Sequence, residues 1–140
     1  MKKICPISFD YASKACCSSC TCFPQTMKQI IVMRKDLNMR TGKMCSQAAH
    51  ASMKVVVDYP DHFYVKEWLR GKFTKVAVYV NSEEELFEIM NKAKEAGLIT
   101  ALITDAGRTE FNGVHTNTCI AVGPATREEL FPITGHLKLL

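Results

Sequence analysis

Two groups of residues have types and spacing suited to chemistry. Thr104 to Pro124, TDAGRTEFNGVHTNTCIAVGP, sets Asp105, Arg108, Thr109, Thr116 and Thr118 among glycines between two apolar runs. An ordinary surface turn takes about 2–5 residues, and long loops on rigid scaffolds are where chemistry tends to sit. Asp105 could orient a water or take its proton, and positioned general-base catalysis typically gives about 10²–10⁴-fold. Threonine hydroxyls could fix that water or a carbonyl. In the second group, Lys43, Gln47, His50 and Lys54 fall on one side of a helix at steps of four, three and four. Lys43 lies near that helix's N-terminus, where exposed N–H groups favour anions, so a phosphate or developing oxyanion could be held there. Each group has a bland alternative. The loop reads equally as a glycine-rich connector whose Asp caps a turn, the lysine stripe as a solvated face, and each threonine as turn or strand chemistry. His50 has no carboxylate or cysteine partner nearby in sequence, so it reads as a packed, hydrogen-bonded helix residue rather than half of a nucleophilic dyad. Gly-x-Ser-x-Gly, His-Glu-x-x-His and Gly-x-x-x-x-Gly-Lys-Ser/Thr motifs are absent.

Positioning these groups falls to alternating strands and helices. Lys28 to Arg34, KQIIVMR, is a short β-branched run and predicts a strand. A helix follows from about Thr41 to Asp58, apolar at Met44, Ala48, Ala51 and Val55, with small residues that permit close packing on a sheet. Tyr59-Pro60 stops it, because the residue before proline avoids the helical region. Asp61 to Arg70 predicts a second helix with Trp68 inward and Gly71 at its end. Thr74 to Val80 predicts the next strand. Ser82 and Glu85 fit a capping box for a helix running to about Ala96, and Gly97 suits its end. Leu98 to Thr104 and Thr118 to Gly123 predict two buried strands, and Thr126 with Glu129 a last capped turn halted near Pro132. The pattern predicts a three-layer α/β/α sandwich on a mixed, mostly parallel four-stranded sheet with one antiparallel strand. In such sheets ligands bind beyond the carboxyl ends of the strands. The loops after the first and third strands therefore share one edge, which brings Lys43 within reach of Asp105.

Length and composition bound the rest. The chain has 140 residues, 47% hydrophobic and 23% charged, which suits one ordinary globular domain with a tail. No apolar run approaches the roughly 18 residues of a membrane span. Asp10 and Lys14 interrupt the N-terminal apolar stretch, which argues against a signal peptide and for a cytoplasmic protein. The net charge of +4 is uneven: Lys28 to Lys75 carries ten Lys/Arg against four Asp/Glu, whereas Val76 to Leu140 carries five against nine. A basic half suits a polyanionic partner. Five of the seven cysteines, Cys5, Cys16, Cys17, Cys20 and Cys22, crowd the first 22 residues. The odd total argues against a disulfide framework, and one Cys-x-x-Cys without nearby histidine is a weak zinc signature. Residues 1–26 read as a disordered extension or an over-long start before Met27. Cys45 and Cys119 read as small core residues.

From Met27 to Leu140 the chain resembles the type 2 peptidyl-tRNA hydrolases. The resemblance rests on RKDLNM followed by GKMCSQAAHA, on SEEEL, TDAGRTE and TNTCIAVGP, and on the ending ITGHLKLL. Six segments in matching order make coincidence very improbable, although no single one is decisive. The resemblance implies a 27–140 catalytic domain and a metal-independent esterase without cofactor. Its substrate is the ester between a peptide, or an N-blocked amino acid, and the 3′ end of tRNA. By the same resemblance Lys43, Asp105, Thr109 and Thr118 match the catalytic lysine, aspartate and threonines, and Gln47 and His50 match residues that line or brace the site. The implied mechanism has Asp105 position or deprotonate the attacking water. Lys43 stabilises negative charge, and Thr109 and Thr118 hold water and ester in line. Arg40, Arg108 and Thr116 are candidate substrate-binding residues, and Arg34, Lys35, Arg40, Lys54, Arg70 and Lys72 are candidates for a face that carries the acceptor stem. Members often form homodimers.

Two departures matter. Many members read Gly-Lys-Gly-Lys where this chain has Arg40-Thr41-Gly42-Lys43, so one phosphate contact shifts to Arg40 or is lost. The loop FNGVHTNT is one residue longer than the common form, which leaves Thr116 in competition with Thr118. The alternative function is a non-catalytic tRNA- or protein-binding module of the same fold.

Overall fold

The computed structural model describes residues 26–108 and 111–140. In chain order they form β1 (Met27–Arg34), α1 (Thr41–Asp58), α2 (Phe63–Arg70), β2 (Lys75–Val80), α3 (Glu83–Glu95), β3 (Thr100–Asp105), β4 (Thr116–Thr126) and α4 (Arg127–Thr134). The Cys-rich stretch that ends at Cys22, together with Thr109, lies outside the described residues.

The strands form one sheet in the order β2-β1-β4-β3. β1 pairs with β2 in parallel, and β4 runs antiparallel to both β1 and β3. Three strands thus share a direction and one opposes them, as the alternation predicts. The opposing strand lies inside the sheet, so two of the three pairings are antiparallel and one, β1 with β2, is parallel. Burial follows from this order. β1 and β4 are almost wholly covered, whereas β3, an edge strand, stays half-exposed and is not the buried strand its composition suggested. β2 holds the other edge, where Tyr79 N–H donates to Lys138 O and Leu140 N–H to Ala77 O, both at 3.1 Å. The C-terminus thereby covers backbone groups that an edge would otherwise leave open.

Helices cover both faces. On one, Ala51 and Val55 of α1 and Val65 of α2 pack on Ile31, Met33, Ala101, Cys119 and Ala121. On the other, Leu86, Ile89 and Ala93 of α3 with Leu130 and Ile133 of α4 pack on Ile30, Val32, Ile120 and Val122. Alternate residues of each strand feed opposite cores, as a pleat requires. No helix among the described residues is long and apolar enough to cross a membrane.

Helix ends follow their local chemistry closely. α1 has the expected bounds, and α2 begins at Phe63 because the His62 side chain accepts from Tyr64 N–H. Ser82 Oγ accepts from Glu85 N–H as predicted, but Glu85 turns its carboxylate to Asn81 N–H, so the box is only half formed. Thr126 and Glu129 form the complete box, and α4 runs past Pro132 to Thr134. Proline removes a single intrahelical hydrogen bond there, and Gly135 N–H still reaches Phe131 O at 2.9 Å. Cys45 corrects the sequence reading: it is exposed on α1, whereas Cys119 is fully buried.

Candidate active site

Strand direction assembles the site. β1 and β3 end on the same edge of the sheet, and β4, which opposes both, begins there between them. The loop after β1 leads into α1, whose first turns lie over this edge. Three chain segments distant in sequence therefore converge: the start of α1, the end of β3 and the start of β4.

Lys43 Nζ donates to Asp105 Oδ1 at 2.7 Å, with the two side chains 12% and 14% exposed. The other carboxylate oxygen accepts from Gly107 N–H at 2.9 Å. The Lys43 hydrogen bond is the main cause that holds the Asp105 carboxyl below its ordinary range; burial opposes the shift, and Gly107 N–H and the charges of Lys43 and His50 reinforce it. Gly107 permits this turn because its φ is +80°. A Cβ there would stand 2.5 Å from Val114 O and 2.6 Å from Val114 N, so only glycine lets the two arms of the loop pass.

Thr118 lies just behind this pair. Ile103 pairs with Cys119 and Thr104 with Asn117, so Thr118 is one extra residue in β4. The irregularity brings Thr118 to the α1 side, where its hydroxyl donates to Gln47 Oε1 at 2.6 Å. Thr118 is fully buried and Gln47 2% exposed. Cys119 Sγ donates to Gln47 O at 3.4 Å, and burial pushes its thiol up to about 12, so it serves as packing and not as a nucleophile. Thr116 sits directly across from Asp105 and is half-buried, with its hydroxyl turned to Val114 O at 3.0 Å.

The remaining candidates separate. Arg40 and Arg108 are exposed. His50 is exposed too, against the packed role read from sequence, and bears on the site through its charge on Asp105. The basic face is thinner than the residue count implied. Arg34 is committed to Asp36 and Glu83, Lys54 to Asp58, and Arg70 to Glu67. Phe111 escaped the sequence reading. It packs beside the α1-side core with its ring centroid 5.8 Å from Lys43 Nζ. A large aromatic in an otherwise polar loop was the available signal.

The N-terminus of α1 supplies a further element. Arg40 occupies the cap position without a side-chain cap hydrogen bond, and no acidic residue lies in the first turn. A helix end of this kind presents partial positive charge and favours anions. An ammonium, an anion-favouring helix end and a carboxylate at one edge of the sheet, backed by a buried hydroxyl, suit addition of water to a carbonyl beside a phosphate.

Comparison with known proteins agrees with this chemistry. Residues 27–140 match the family described as Peptidyl-tRNA hydrolase PTH2. A protein of Methanocaldococcus jannaschii named "Peptidyl-tRNA hydrolase" is 46% identical over 116 residues, covering 81% of this chain and all of the relative. Proteins of the same name from Halobacterium salinarum, 46% identical over 113 residues, and Nanoarchaeum equitans, 44% identical over 117, cover 81% of this chain and 99% and 98% of their own lengths. With the match running the full length of these relatives, the chain belongs to the PTH2 family of peptidyl-tRNA hydrolases.

Proposed function

We propose that this protein hydrolyses the ester that joins a peptide, or an N-blocked amino acid, to the 3′ end of tRNA. The reaction frees tRNA from stalled or aborted translation in the cytoplasm. The observation that carries the reading is the 2.7 Å contact of Lys43 with Asp105, on a chain of this family.

In the proposed reaction a water attacks the ester carbonyl. The carbonyl oxygen becomes an oxyanion, the ester bond breaks, and the ribose hydroxyl leaves with a proton that derives from the water. Asp105 orients the water. Its depressed carboxyl makes it a weak base, so orientation suits it better than full deprotonation while Lys43 stays paired. The Lys43 ammonium stabilises the oxyanion, an effect worth most in a site sheltered from water. Thr118, its hydroxyl fixed by Gln47, braces the carbonyl side. Thr109 shares this task on the strength of its motif alone. Thr116 borders the water's approach from across Asp105. His50 adds to the field on Asp105.

The tRNA end enters over the start of α1. Arg40, the start of α1 and Arg108 suit the terminal phosphates, which fix position without reading sequence. A homodimer belongs to the same proposal: Met53 and Val57, each 65% exposed, offer apolar surface on α1.

Release of N-blocked aminoacyl groups from tRNA tests the reading. Asp105→Asn is expected to lower turnover by about 10²-fold or more. Full activity in that variant would overturn the mechanism.

A further inference from the structure

Behind the site, on the α3/α4 side of the sheet, lies a small polar cluster that the reaction does not touch. Thr104 Oγ1 donates to Asn117 Oδ1 at 2.6 Å. Arg34 Nη1 donates to Asn117 O at 3.0 Å, and the same nitrogen reaches Glu83 Oε2 at 3.3 Å. Arg34 Nε and Nη2 grip the two oxygens of Asp36 at 3.2 and 2.7 Å. The guanidinium, 11% exposed, thus ties the end of β1, the start of α3 and the start of β4 together. Each member of the Thr104–Asn117 pair immediately precedes a site residue. Thr104 precedes Asp105, and Asn117 precedes Thr118.

We propose that the Arg34–Asn117–Thr104 tie is a positioning device that fixes the extra residue of β4 at Thr118 and so holds Thr118 and Asp105 in register; this rests on the function proposed above. The physical reason is the pleat. A one-residue slip turns a strand's side chains to the opposite face, and an extra residue can settle at more than one place unless something pins it. Asn117 is pinned twice, by its side chain to β3 and by its carbonyl to Arg34. That carbonyl belongs to the peptide unit that also carries the Thr118 N–H. With this peptide plane fixed on the back face, Thr118 is directed to the front, toward Gln47. The planar fork of arginine is required, because it holds Asp36 and Asn117 at once, which a lysine ammonium cannot reproduce.

The test follows turnover together with the methyl NMR resonance of Thr118, which does not depend on the reaction. Thr104→Val removes the hydroxyl at nearly constant shape, and Arg34→Lys keeps the charge without the fork. Each is expected to shift the Thr118 methyl resonance and lower kcat about 10-fold, with KM within about two-fold, since small misplacement in a site is costly. Thr104→Ser is expected to restore both. A native Thr118 resonance in Thr104→Val and Arg34→Lys overturns the tie, whatever the turnover; where Asp105→Asn is inactive, so does a shifted resonance with unchanged kcat. Asp105→Asn, run alongside, judges the functional reading separately: full activity there sinks that reading, while the Thr118 resonance still decides the tie.

Discussion

Lys43 and Asp105 stand 62 positions apart and meet at 2.7 Å, the ammonium from the first turn of α1 and the carboxylate from the last residue of β3. Both side chains are largely sheltered, so each charge leans on the other. Loss of either leaves a poorly solvated partner.

Lys43→Ala is accordingly expected to lower kcat by about 10²–10³-fold, the range seen when an oxyanion donor is removed. Steady-state hydrolysis of an N-blocked aminoacyl-tRNA measures it. Combining Lys43→Ala with Asp105→Asn should cost less than the product of the single losses, because contacting residues are not additive. Strict additivity would mean that the pair does not act as a unit.

The pH dependence has a definite sign. The Asp105 carboxyl lies lower in the folded protein than its ordinary value of 3.8. The folded state therefore binds the proton less readily than the unfolded state does. This contribution to stability is present above about pH 4 and is lost as pH falls through the folded value. Thermal melts between about pH 6 and pH 2 should show wild type losing more stability than Asp105→Asn. Parallel melting curves would contradict the shift. In turnover, no acid limb due to Asp105 is expected above about pH 4 in the free enzyme.

Thr118 and Thr116 can be told apart by valine substitution. Thr118→Val removes the hydroxyl that Gln47 Oε1 accepts in a fully buried position. An unsatisfied buried acceptor costs about 1–3 kcal/mol, and kcat should fall with it. Thr116→Val loses only a bond to Val114 O at a half-buried position, so both effects should be small. A larger loss of kcat at Thr116 would transfer the catalytic assignment to that residue.

Gly107 and Gly113 provide a matched pair of backbone tests. Both have positive φ, +80° and +79°. A Cβ at Gly107 meets the Val114 backbone, whereas one at Gly113 meets nothing within 4 Å. Gly113→Ala should therefore show only the conformational cost, about 1–2 kcal/mol, with kcat little changed. Gly107→Ala must also open the loop and draw its N–H from Asp105, so kcat should drop sharply. Equal kcat in the two variants would show that the close approach at Gly107 is immaterial.

Much of the fold was legible because its signals are local. The bounds of α1 follow from apolar spacing and from Tyr59-Pro60, and the Thr126–Glu129 box sets the start of α4. Where the reading missed, nonlocal packing had overridden local chemistry. β3 looks like a buried strand but lies at an edge. His50 and Cys45 sit in an apolar helix yet face outward, because α1 turns Gln47, Ala51 and Val55 to the sheet. The basic half of the sequence loses much of its free charge to Asp36, Glu83, Asp58 and Glu67, pairings that residue counts cannot display.

Sequence by itself marked the candidate residues and most of the elements that carry them. It also placed the chain in its family from Met27 onward. Tertiary structure alone decided how those residues meet. The central, opposing position of β4 brings its first residues between the ends of β1 and β3, and one extra residue in that strand turns Thr118 toward Gln47. Helix and strand signals arise within a few residues of chain. Strand order and register arise from cores formed by segments far apart, and the geometry of Lys43, Asp105 and Thr118 depends on both.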